Sequence, residues 1–241
     1  MRLPAWITAK PIAHRGLFDP AQGIPENSLA AVRAAVEAGY AMEIDLRAAP
    51  DGVAVFHDSD LERMTGAAGA LAHLSAAERS RVRLAGTGEP IPLLEDVLAL
   101  VRGRVPLMLE IKNDGRAGAL EAAVLKRLAG YTGEIAIVSF NPLSLAFFAA
   151  RAPEIPRGQT ACRFRDSSLP RWRRMLQENY LLNFVSRPHF LLYEIEGLPC
   201  RAVSWRRALG MKVIAYTARN AADAARAKLV ADNFIFEGFR P

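Results

Sequence analysis

The sequence predicts an α/β fold, a (β/α)₈ (TIM) barrel with a small insertion after the second barrel strand. Three observations predict it. Eight short apolar runs recur along 241 residues, segments of helical period separate them, and the length matches the roughly 250 residues typical of such a barrel. Alternating strand and helix implies parallel strands joined by right-handed crossovers, and eight such units close on themselves. A single domain over 1–241 is expected, with the insertion at about 53–92.

The strands are expected at PIAH (11–14), MEIDL (42–46), LMLEI (107–111), IAIVSF (135–140), GQTA (158–161), NFVS (183–186), KVIAYT (212–217) and NFIFE (233–237). Helices are expected at 28–38, where Leu29, Val32 and Val36 share a stripe, and at 117–129, where Leu120, Val124 and Leu128 do. Each of these two stops at a glycine, Gly39 and Gly130, the residue that best accepts the left-handed backbone just past a helix end. Further helices fit 93–101, 142–151, 170–180, 201–209 and 221–230. The step from 42 to 107 is about twice the usual strand-to-strand distance. Its first part, VAVFH at 53–57 after Pro-Asp-Gly, reads as a strand returning from a turn. The rest, 58–92, has scattered glycines and one helical scrap at 75–81.

Composition excludes several classes. With 51% hydrophobic and 23% charged residues the chain is neither disordered nor fibrous. No run approaches the roughly 20 apolar residues of a membrane-spanning helix. The opening MRLPAWITAK lacks a signal-peptide core, so the cytoplasm is expected. Cys162 and Cys200 lack metal-type spacing and are expected as free thiols. The net charge of +6 and pI near 9.7 are compatible with nucleic acid, an anionic membrane surface or a negatively charged substrate, and equally with a solvated basic face. Arg163, Arg165, Arg171, Arg173 and Arg174 crowd one stretch, but the aromatic pattern of an RNA-binding sheet is missing and no nucleic acid is expected.

The pleat places Met42, Ile44 and Leu46 on one face of a strand and Glu43, Asp45 and Arg47 on the other. At 107–111, Met108, Glu110 and then Lys112 share a face in the same way. In a barrel these acids point to the axis near the C-terminal strand ends, where active sites are built. Three facing carboxylates repel unless a counter-charge joins them. All-oxygen ligation favours one hard divalent cation, Mg²⁺ or Ca²⁺. Ion pairing with Arg15, Arg47 or Lys112 is the alternative. His14 and His57 follow strands at the same barrel end and can act as general acid and base. Arg15 and Lys112 suit a phosphate oxyanion. His73 and His189 lack such company and are expected on the surface or in loops.

These residues fall into a recognisable pattern. HRG at 14–16, PEN at 25–27, E-x-D at 43–45, DG at 51–52, HD at 57–58 with Leu61, Arg63, Thr65 and Gly66, and E-x-K at 110–112 together resemble the glycerophosphodiester phosphodiesterase family. The later half agrees more loosely, through Ser139, Tyr216-Thr217 and Asn220. The resemblance implies one divalent cation held by Glu43, Asp45 and Glu110, and His14 and His57 as the acid/base pair. It implies Arg15 and Lys112 near the phosphate and Tyr216 on the substrate rim, with Glu26 and Asn27 orienting the site or capping the next helix. The implied reaction cleaves a glycerophosphodiester to glycerol 3-phosphate and an alcohol through a cyclic phosphate. Two departures touch the rim: Tyr216 stands where relatives carry tryptophan in a W-T-x-N pattern, and the last strand reads FEGFRP rather than ending in Thr-Asp before proline.

Two other functions are compatible with the sequence. One is phospholipase D-like hydrolysis of lysophospholipids, with peripheral contact to an anionic membrane through the arginine-rich segment 163–174, where Phe164, Leu169 and Trp172 also lie. The other is a silent barrel that only binds phosphorylated ligands.

Overall fold

The computed structural model describes residues 3–113, 115–164 and 170–241. Among them nine strands form one sheet: β1 (Ile12–Ala13), β2 (Met42–Ala49), β3 (Gly52–Val55), β4 (Leu107–Ile111), β5 (Ile135–Ser139), β6 (Arg157–Ala161), β7 (Phe190–Glu194), β8 (Lys212–Ala218) and β9 (Asn233–Phe236). All but β3 run parallel, and β1 pairs with both β2 and β9, which closes an eight-stranded barrel. β3 folds back antiparallel on β2, with Arg47 opposite Ala54. The insertion therefore begins as a hairpin.

One expected strand is misplaced. Residues Asn183–Ser186 form a helical turn, and the seventh strand is Phe190–Glu194. A four-residue apolar run cannot be assigned by periodicity. Phe184 is 75% exposed, whereas FLLYE is apolar on both faces, as a strand between a barrel interior and an outer helix requires. The other helices lie within two residues of their expected ends. Pro142–Arg151 and Ala221–Val230 match outright, and Asn141 and Asn220 cap them.

The pleat sorts each stave into two faces. Met42, Ile44, Leu46, Leu107, Leu109 and Ile111 pack under the helical shell. Met108, Val138, Phe190, Leu192, Ile214 and Ile235 fill the interior together with Ile7. Gly158 is needed there, because a Cβ would lie 2.4 Å from the Phe190 ring. The insertion has a small core of its own, in which Phe56, Leu61, Leu71, Leu84 and Ile91 are buried. Val53 and Val55 of β3 belong instead to the main core, so this strand joins the two.

Candidate active site

β2 delivers Glu43 and Asp45 to the barrel mouth, and the register of β2 with β4 sets Asp45 directly opposite Glu110. All three are buried. One oxygen from each lies within 4.8 Å of the others. Burial, with Asp45 and Glu110 alongside, pushes the Glu43 carboxyl well above the usual range. Its Oε1 is buried and accepts no hydrogen bond. An orphaned oxygen in an all-carboxylate cluster fits a hard divalent cation, which would replace the missing counter-charge.

Two cations already flank the cluster. Lys112 Nζ lies 2.8 Å from Glu110 Oε1 and 3.2 Å from Asp45 Oδ1. Arg15 Nε lies 3.3 Å from Asp45 Oδ2. Burial alone would raise the Asp45 carboxyl, but Lys112, His57 and Arg15 hold it well below the usual range. Ion pairing and the open carboxylate cluster thus coexist: Asp45 is paired, and Glu43 keeps one oxygen free. Arg47 Nε donates to the His57 carbonyl at 2.6 Å.

The loop after β1 explains Arg15. Arg15 and Gly16 both take positive φ, and a Cβ at Gly16 would lie 2.9 Å from Ala31, so the chain turns against the next helix where only glycine fits. The Arg15 backbone N–H donates to Glu43 Oε2 at 3.1 Å and its guanidinium to Glu26 Oε1 at 2.7 Å. Asn27 does not cap the following helix, because Ser28 does. Its side-chain amide instead donates to Asp45 Oδ2 at 2.8 Å, and its Oδ1 accepts from the Asp45 backbone N–H at 3.2 Å.

Both expected histidines reach the cluster. His14, directly after β1, meets Glu237 through Nδ1, and its Nε2 lies 3.8 Å from Glu43 Oε2. His57, two residues past β3, meets Asp58 Oδ1 through Nδ1 at 2.6 Å. Each carboxylate accepts a hydrogen bond from Nδ1–H, which leaves Nε2 for the cavity. Burial lowers the His57 pKa, and Lys112 and Arg15 add to this against the pull of Asp45. Arg63 donates to Asp58 at 2.6 Å and to Glu26 Oε1 at 2.7 Å. It therefore links the two loops.

The cavity holds about 400 Å³ and is lined by His14, Arg15, Glu43, His57, Glu110 and Lys112 on one side. Phe140, Leu192, Tyr216, Thr217 and Ile235 line the other, with Glu194, Glu196 and Arg219 at the rim. Tyr216 presents its ring, because its hydroxyl donates to the Ala161 carbonyl at 2.9 Å. His73 is exposed, and His189 accepts from the Arg157 N–H in a loop, so both lie apart from the site.

The motif reading assigned no role to Glu237, Asp58 or Arg219. Arg219 donates to Glu237 at 2.9 Å and to Glu196 at 3.3 Å. Arg219, which with Ala218 stands between Thr217 and Asn220 where the W-T-x-N pattern has one residue, thus pairs with the acid of FEG. A signal was available for Glu237, which directly follows a barrel strand at the same end as His14 and the acidic cluster. Of the arginine-rich segment, Arg165 and Leu169 lie outside the described residues. Cys162 and Cys200 are free. No helix among the described residues is long and apolar enough to cross a membrane.

Known proteins resemble this chain in sequence and in fold. The chain is 33% identical over 159 residues to a glycerophosphodiester phosphodiesterase of Bacillus altitudinis, an alignment spanning 61% of this chain and 64% of that protein. It is 39% identical over 98 residues to the bovine glycerophosphodiester phosphodiesterase 1, spanning 36% of this chain and 29% of that protein. The chain thus spans less than two thirds of either relative. The fold superposes on an Oleispira antarctica phosphodiesterase in complex with the product sn-glycerol-3-phosphate, with TM-score 0.79, 25% identity and coverage of 95% and 93% of the two chains. It also superposes on a Thermotoga maritima glycerophosphodiester phosphodiesterase, with TM-score 0.71, 22% identity and coverage of 93% and 92%. Residues 14–233 match the family described as the Glycerophosphoryl diester phosphodiesterase family. By this match over most of its length, the chain belongs to that family.

Proposed function

We propose that the protein hydrolyses glycerophosphodiesters to glycerol 3-phosphate and an alcohol, with His14 and His57 as the acid/base pair and a divalent cation, Mg²⁺ or Ca²⁺, held by Glu43, Asp45 and Glu110. One observation carries the reading: two imidazoles, each tied through Nδ1 to a carboxylate, open on the same cavity as the acidic cluster. The product bound to the Oleispira neighbour supports the substrate class.

The bound cation would neutralise charge on the phosphoryl oxygens. Arg15 and Lys112 add fixed positive charge at the same rim. His57, whose pKa is lowered, is neutral at the outset and takes the proton from the glycerol 2-hydroxyl as that oxygen attacks phosphorus. The bond from phosphorus to the alcohol breaks, and His14 Nε2 protonates the departing oxygen. The cyclic phosphate then opens with roles exchanged. His14 takes a proton from water, whose oxygen bonds to phosphorus, and His57 returns its proton to the 2-oxygen. The substrate supplies its own nucleophile, so positioning and proton transfer remain the protein's task.

³¹P NMR of glycerophosphocholine incubated with the protein and Mg²⁺ or Ca²⁺ tests the proposal. Glycerol 3-phosphate is expected, with one ¹⁸O per phosphate from labelled water and no turnover after chelation. Full activity of both His14→Ala and His57→Ala would refute the acid/base pair.

A further inference from the structure

Eight large hydrophobic side chains are exposed among the described residues, and six of them, Trp172, Met175, Leu181, Phe184, Trp205 and Leu209, fall between 172 and 209. Basic charge concentrates in the same part of the chain. Residues 163–207 contain nine arginines against four acidic residues, nearly the whole net charge of +6. The helix Arg171–Glu178 buries none of its residues. Trp172 and Trp205 are 58% and 62% exposed, and each lies under a guanidinium, Arg173 at 5.1 Å and Arg206 at 5.5 Å. Arg206 also donates to the Tyr180 carbonyl at 3.0 Å, which ties Arg201–Ala208 to the segment just past the helix Arg171–Glu178.

The opposite flank differs. The helices Leu29–Ala38, Leu94–Val101 and Ala119–Leu128 each bury an apolar stripe, and Arg127 pairs with Glu95 across two of them. The arginine-rich flank instead offers guanidinium groups beside bare aromatic and aliphatic side chains. A membrane interface with anionic headgroups over acyl chains is complementary to that combination. A second copy is a poor match, since an isologous contact would bring two basic faces together. Phosphate of a nucleic acid would leave Met175, Leu181, Phe184 and Leu209 without apolar partners.

We propose that this flank, from Arg171–Glu178 to Arg201–Ala208, docks the protein on an anionic lipid bilayer. It is joined to the catalytic cavity. Arg174 donates to the Phe164 carbonyl at 3.4 Å, the Phe164 ring packs edge-on against Phe140 at 5.9 Å, and Phe140 packs against Tyr216 at 6.3 Å. Docking does not require the hydrolytic reaction, and its test is a binding measurement.

The full chain is sedimented with vesicles of phosphatidylglycerol and phosphatidylcholine, and with phosphatidylcholine alone. Binding to the anionic vesicles at low salt is expected, with loss near about 0.5 M salt, where screening shortens to a few ångströms. The double variant Arg171→Glu/Arg173→Glu is expected to bind at least roughly tenfold more weakly. Trp172→Ala is expected to weaken binding with its melting temperature unchanged. Absence of binding to anionic vesicles, equal binding to neutral ones, or an unaffected double variant would overturn the proposal. So would a concentration-dependent dimer that Trp172→Ala dissociates, because the occupant would then be a second copy.

Discussion

The two halves of the barrel mouth are built from different chemistry. Staves β1, β2 and β4 carry charge: His14, Arg15, Glu43, Asp45, Glu110 and Lys112 stand in one connected cluster. On the far side, β8 and the segment after β5 offer rings and backbone contacts, with Tyr216 and Phe140 edge to face. The proposed reaction at phosphorus depends on closely fixed charges, and the ion pairs of the first half would supply them. A wall that only encloses an alcohol needs shape. Substitutions on the charged side should therefore stop the chemistry, and those on the aromatic side should change preference.

The sharpest way to break this contrast is to remove the proton-transfer groups. His14→Ala and His57→Ala are each expected to lower kcat by about 10²–10⁴-fold, as measured by glycerol 3-phosphate release. Next comes the support of the carboxylate cluster. Asn27→Ala removes both hydrogen bonds to Asp45 and is expected to weaken cation affinity by about 10–100-fold, read by titration calorimetry. If cation affinity holds, Asn27 is only a loop residue.

A smaller effect lies in acid stability. Burial would raise the Glu237 carboxyl, but the His14 hydrogen bond, with the charges of His14 and Arg219, lowers it from 4.5 to about 2. The unfolded chain then takes up this proton at a higher pH than the folded one. The stabilisation is complete above the ordinary value and is lost as the pH falls through the folded one. Glu237→Gln should flatten the fall in melting temperature between about pH 4.5 and pH 2. The smallest effect is expected of Tyr216→Phe, which loses one hydrogen bond to Ala161, worth about 1 kcal/mol in denaturant unfolding, with kcat little changed. A large kcat loss there would erase the distinction between the two halves.

The same asymmetry governs how much the sequence discloses. Charged groups at strand ends leave compact motifs, and Glu43, Asp45, Glu110, His14 and His57 could all be read from them. Glu237 could not be paired with His14 in this way, because 223 residues separate them and barrel closure brings them together. The eight staves were legible in number and nearly all in place. NFVS and FLLYE are not told apart by periodicity, because a buried parallel strand and a short helical turn both read as brief apolar runs. The capping of the helix at Leu29 by Ser28 rather than Asn27 is decided by the positive φ of Asn27, which turns its amide inward. No propensity scale reports that.

The hairpin that returns β3 to the barrel has a consequence for inactivation. His57 is not carried by a stave; it follows β3 at the head of an insertion whose small core is distinct from that of the barrel. Segments with a small separate core open below the global unfolding free energy. Partial heating should therefore disconnect one imidazole from the phosphorus while the barrel keeps its helices, so that enzymatic competence melts before circular dichroism does.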